Sequence, residues 1–250
     1  VAPDAALMLA LYRVGGPTGG GGEGDEPSGR RGLGGGGAHQ PMINVSGAVL
    51  WLIVANLTVH LLRFFLDEPT DDRLVYDFAL VAARLTGAMP WGPYDPAPLA
   101  TYQFLHAGLD HLGINMLALL AFGTPVERRL GAFRFIVFYL LCGLAGAAAH
   151  ILAFSDSPAP LIGASGAIAG CFGGAIRIIS GAGPQGRLAG LRQVGLLALL
   201  WLGSQVVFGL IGGGIGSADV IAWWSHVGGF LAGLVLIGLF KPRLSTSSGA

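Results

Sequence analysis

Ser165 stands in the string Gly163-Ala164-Ser165-Gly166, just after the proline-rich run SDSPAP, and it opens an apolar segment. A serine hydroxyl at a helix start becomes a nucleophile once a base near neutral pKa takes its proton. His226, near the start of another apolar segment, is of the right type. His111 and Asn115 are four apart, so on a helix they share one face and could direct donors at a developing oxyanion. The unpaired N–H groups opening the Ser165 helix, including that of Ser165 itself, would add to this hole with help from the helix dipole. The chemistry implied is acyl transfer, with peptide hydrolysis as the clearest case. Asp110 is the only acid inside an apolar segment and belongs to its first turn, so a Ser-His dyad is expected rather than a triad. Gly163-x-Ser165-x-Ala167 also lacks the last glycine of the soluble hydrolase elbow, and the strand that precedes that elbow is not expected here. His106, five residues before His111, falls off that face and is expected in the loop, shaping the site entrance.

The elements that must hold these residues lie in lipid. Hydrophobic residues make up 53% of the 250 positions and charged ones 11%, and the mean hydropathy is +0.66. Six apolar stretches, about 47–66, 109–125, 132–154, 164–180, 194–212 and 220–240, each approach the roughly 20 residues needed to cross a bilayer as a helix. Barrel strands would instead alternate over about ten residues. The expected fold is an all-α membrane protein, a six-helix bundle. A cytoplasmic N-terminus puts eleven of the fourteen basic residues inside and leaves Arg63, Arg73 and Arg84 outside, so both termini are expected in the cytoplasm. Ser165, His226 and the His111–Asn115 face then meet in one layer near the outer surface. Gly166, Gly170, Gly173 and Gly174 on one helix, with Gly229 and Gly233 on another, would let those two backbones nearly touch. The forty-residue connection 67–107 should carry a short interfacial helix around Leu74 to Leu85, with Trp91, Tyr94 and Tyr102 at headgroup depth. Trp201 and Phe208 read as packing of the fifth helix, and Glu127-Arg128-Arg129 as a charged inner loop.

Three regions are expected: a Gly-rich disordered tail at 1–40, the membrane domain at 41–243 and a short tail at 244–250. The first apolar patch, Ala5 to Tyr12, lacks the length and basic start of a signal peptide, leaving targeting to the membrane helices. Lysine plus arginine (14) balance the acids (14), which gives nucleic acid no purchase. Cys142 and Cys171 fall inside apolar segments, so neither a disulfide nor a metal-thiolate site is expected. The proposed chemistry requires no metal or organic cofactor. Arginine outnumbers lysine thirteen to one, which with the Ala and Gly usage suggests a GC-rich bacterial genome and the inner membrane as location. Oligomeric state leaves no trace in the sequence.

The strings HAGLDHLGINM (His106 to Met116), ERRLG (Glu127 to Gly131), GASG (Gly163 to Gly166) and HVGGFLAG (His226 to Gly233), in that order, resemble the rhomboid family of intramembrane serine proteases. The resemblance covers about residues 41–243. It implies Ser165 as nucleophile, His226 as base and an oxyanion hole from His111, Asn115 and the Ser165 amide, reached through a cavity open to the outside. It also implies other transmembrane proteins as substrates, cut near the outer end of a helix, and a bracing role for Glu127. Two features depart from the family's pattern. No Trp-Arg pair occurs in the first outer loop, and Ala169 occupies the position four after the serine where many members carry an aromatic residue. Two other readings remain open: a non-proteolytic rhomboid-like protein that binds transmembrane helices, and a redox or proton-transport protein using membrane histidines. The first usually lacks nucleophile or base, and the second leaves GASG unexplained.

Overall fold

The computed structural model describes residues 47–181, 187–211 and 218–240, with the side chains at 187–189, 205–211 and 218–222 excepted; both predicted tails and the Phe208 side chain lie outside the described residues. Helix α1 (Gly47–Phe64) is apolar over its length. The long connection follows, with α2 (Glu68–Phe78), strand β1 (Leu80–Val81), α3 (Ala82–Leu85), α4 (Pro98–Thr101) and a 3-10 turn (Tyr102–Phe104). Helix α5 (Leu109–Ala118) runs through a π-turn (Leu119–Gly123) into α6 (Thr124–Leu130). Next come α7 (Ala132–Ala153), strand β2 (Pro160–Leu161), α8 (Ser165–Gly181), α9 (Arg187–Ile211) and α10 (Ala218–Leu236). Among the described residues three helical runs are long and apolar enough to cross a membrane: Gly47–Phe64, Leu109–Leu130 and Ala132–Ala153. The protein is an integral, helical membrane protein. Helices α8, α9 and α10 fall on the other three apolar stretches, with α9 opening earlier than expected, at Arg187.

Helix α8 packs against α7, α9 and α10, and its abundant Gly and Ala make that central position sterically feasible. The main core joins Val49 and Leu52 of α1, Leu119, Val126 and Leu130 of the π-turn and α6, Phe135, Phe138 and Tyr139 of α7, and Ala167, Ile168 and Cys171 of α8. The predicted inner loop at Glu127 is instead helix. The chain turns only at Gly131, whose φ of 81° is a region that favours glycine.

The connection 67–107 departs most from expectation. Helix α2 ends at Phe78 instead of running on to Leu85, and β1 pairs antiparallel with β2, Leu80 opposite Leu161 and Val81 opposite Pro160. Tyr102, expected at headgroup depth, is buried, and its hydroxyl donates to the Gly143 carbonyl of α7 at 2.8 Å. The connection is thus fastened to α7 and to the stretch just ahead of Ser165.

Candidate active site

Ser165 is the first residue of α8. The backbone reaches it through Gly163, whose φ of 115° and whose N–H bond to the Tyr102 carbonyl (2.9 Å) define the turn. A Cβ at Gly163 would also come within 2.9 Å of His111 Nε2, so glycine is required there twice over. His226 projects from α10, and its Nε2 lies 2.8 Å from Ser165 Oγ. With Nε2 unprotonated, the serine hydroxyl donates and the imidazole accepts. The approach depends on bare backbone: a Cβ on Gly229 would fall on the carbonyl oxygen of Gly166, and one on Gly233 on that of Gly170. A Cβ on Gly166 would meet Ser225 Oγ, the neighbour of His226, at 2.5 Å.

Ser165, His226, His111 and Asn115 line one cavity of about 620 Å³, within the range of small-molecule sites. Phe122, Phe172 and Trp201 also line it, with Phe230 packed against the last two. Phe172 lies 4.7 Å from Phe122 and 5.9 Å from Phe230 between ring centroids, and Trp201 stacks on Phe230 at 4.3 Å. Asn115 Nδ2 donates one hydrogen to the His111 carbonyl of its own helix at 2.8 Å, which leaves its second N–H for the cavity. Among the described residues no three His, Cys, Asp or Glu side chains gather as a metal site.

His106 is not at the entrance. It is fully buried against His111, ring edge against ring at 5.0 Å. Burial, with the adjacent His111 and His60, pushes its pKa down to about 4. Its carbonyl accepts from Arg63 Nη1 at 2.7 Å, and the same guanidinium grips Asp71 through two bonds of 2.7 and 2.9 Å. That grip holds the Asp71 carboxyl below its ordinary range. Glu127 sits away from the cavity. Its buried carboxylate accepts from the Ala48 and Val49 N–H groups at 2.9 and 2.8 Å, satisfying two orphan donors at the start of α1. Sequence reasoning missed Arg63, Tyr102 and Ser225. Only Ser225, directly before His226, carried a local signal.

A family model for the rhomboid domain matches residues 94–243. The chain belongs to the rhomboid family. It is 37% identical over 196 residues to Rhomboid protease GluP of Bacillus subtilis, an alignment covering 75% of this chain and 36% of that protein. Rhomboid-like protease 3 of Toxoplasma gondii is 26% identical over 208 residues, 82% of this chain and 73% of the relative. RHOMBOID-like protein 2 of Arabidopsis thaliana is 32% identical over 185 residues, 72% and 55% respectively. The chain thus spans about a third of the Bacillus protein's length and about half of the Arabidopsis one's. Within this rhomboid, the loop without a Trp-Arg pair is braced by Arg84, whose guanidinium lies 4.1 Å from the Tyr76 ring centre and donates to the Tyr76 carbonyl at 3.0 Å. Ala169 lines the cavity beside Phe172, so the position that lacks an aromatic ring adds to the space next to His226.

Proposed function

We propose that this rhomboid is an intramembrane serine endopeptidase that cuts transmembrane segments of other membrane proteins near the extracytoplasmic face. The observation that carries the reading is the 2.8 Å contact between Ser165 Oγ and His226 Nε2, made across two helices and opening on a cavity. In this reading His226 accepts the proton as Ser165 Oγ attacks the scissile carbonyl, and the oxyanion takes hydrogen bonds from the Ser165 N–H, Asn115 and His111. His226 then returns the proton to the leaving amine. Water enters by the same route and attacks the acyl carbon as His226 takes its proton; the acyl–Oγ bond then breaks, the carboxylic acid leaves and His226 returns the proton to Ser165 Oγ. A helical substrate hides its carbonyls in its own hydrogen bonds, so it must unwind locally first, and Gly, Ser or Pro in the segment lowers that cost. Six crossings with both termini in the cytoplasm, in a bacterial plasma membrane, fit the arginine distribution. The printed name of the Bacillus relative, a rhomboid protease, supports the same activity.

The test is labelling of the detergent-purified protein with a serine-reactive fluorophosphonate, alongside cleavage of a model transmembrane substrate. Wild type is expected to label and cleave, and Ser165→Ala and His226→Ala to do neither. Labelling that persists in Ser165→Ala removes the proposed nucleophile. A wild type that is folded yet neither labels nor cleaves favours the non-proteolytic, helix-binding alternative.

A further inference from the structure

Ser180 lies fifteen residues beyond Ser165 on α8, about 22 Å along the helix axis, at the opposite end of the bundle. A second cavity of about 430 Å³ opens there between α8, α9 and the end of α10, and Ser180 lines it with Arg129 and Arg177. Ser180 is only 6% exposed, and its hydroxyl has no hydrogen-bond partner among the described residues. A helical serine ordinarily donates to the carbonyl four residues back, so a buried hydroxyl that forgoes this bond is costly unless something else meets it. The start of α9 closes over the same point: a Cβ at Gly190 would fall on the Ser180 carbonyl.

Among the described residues, the charged side chains that line the cavity are both arginines. Arg129 is exposed and has no hydrogen-bond or ion-pair partner among the described residues. Arg177 Nη1 donates to the Leu234 and Val235 carbonyls at the end of α10, which lays its guanidinium across Gly238 and fixes it beside the cavity. Among the described residues no acid lines the cavity. The acid nearest in sequence, Glu127, is held by α1. Two guanidiniums, with no acid among the described residues that line the cavity, are a donor set for a tetrahedral oxyanion, and the buried Ser180 hydroxyl beside them is a donor still to be met. The remaining lining includes Leu191, Val194 and Ile237, apolar groups that would lie alongside an acyl chain.

We propose that Arg129, Arg177 and Ser180 form a binding site for an anionic phosphoryl group, at the end of the bundle opposite the Ser165–His226 pair. Two sources share that chemistry, the headgroup of an anionic phospholipid and free phosphate. Basic pockets between membrane helices are known to take lipid headgroups.

The experiment uses the full chain in neutral detergent and reads bound lipid by native mass spectrometry and thermal stability, with phosphatidylglycerol, phosphatidylcholine or inorganic phosphate added. Phosphatidylglycerol is expected to bind and to raise the melting temperature. Arg129→Gln, at a side chain with no partner among the described residues, is expected to weaken this at least about tenfold, the scale of one charge-assisted hydrogen bond. Ser180→Ala should weaken it by a smaller factor. Displacement of the lipid by millimolar phosphate, or stabilisation by phosphate alone, identifies the phosphoryl group as sufficient; retention of the lipid against phosphate identifies the whole headgroup and chains. Equal binding of phosphatidylcholine, unchanged binding in both variants, or no binding of either phosphatidylglycerol or phosphate overturns the proposal. Fluorophosphonate labelling at Ser165 is expected to be unchanged in both variants, so this outcome is independent of the proposed proteolysis.

Discussion

Asn115 illustrates what one side chain contributes once its partners are known. One of its two amide hydrogens is tied to the His111 carbonyl, which fixes the rotamer, and the other faces the cavity. Asn115→Ala is therefore expected to lower kcat on the order of 10²-fold, the usual effect of deleting one oxyanion donor, while KM and melting temperature stay nearly constant. An unchanged kcat would take Asn115 out of the oxyanion hole. The pairing of Ser165 with His226 was legible from sequence because each is a polar residue near the same end of an apolar helix, where lipid excludes casual polarity. Tyr102 and His106 were not legible. Tyr102 is buried through its bond to Gly143, 41 residues on, and the His106 carbonyl is held by Arg63, 43 residues back, contacts with no local sequence signal.

Helices meet here by backbone contact at α8 and α10 and by a side-chain cap at α1. Gly229→Ala and Gly233→Ala each drive a methyl group into a carbonyl of α8, a backbone atom that cannot swing aside. Each is expected to destabilise the fold by about 1–3 kcal/mol or more and to separate Ser165 from His226, so that thermal stability and fluorophosphonate labelling fall together. Retained labelling in Gly229→Ala would mean that the seam does not position the pair. Glu127→Gln keeps the shape but removes the charge that meets the Ala48 and Val49 N–H groups. It is expected to cost about 1–2 kcal/mol in a denaturation titration without changing the labelling rate per folded molecule. The glycine seam could be read from its four-residue spacing. The cap could not: Pro125 and the run Glu127-Arg128-Arg129 look like a loop, and only proximity to α1 shows what the carboxylate is for.

At the scale of the whole molecule, acid acts through two of the described groups outside the spans, His106 and Asp71. The His106 pKa is lowered from 6.5 to about 4, so the folded state favours its neutral form. That contribution is complete above about pH 6.5 and is lost as pH falls through about 4; it is on the order of 2 kcal/mol. Asp71, held low by Arg63, adds stability that disappears only below its ordinary value of 3.8. Melting temperature is expected to be flat above pH 7, to decline from 6.5 to 4, and to drop further below, with His106→Gln flattening the first step. A His106→Gln protein that keeps the full decline would contradict this assignment. The apolar stretches, and with them the helical membrane class, were legible because lipid imposes a single length and pattern. The connection 67–107 was not, since its strand pair and buried tyrosine are decided by distant partners rather than by any local period. The bond from Gly163 to Tyr102 turns this into a statement about time. An amide in an irregular stretch between β2 and α8 is clamped by a residue that is itself anchored in α7, so its proton should trade with deuterium on the clock of global unfolding, hours behind ordinary surface turns.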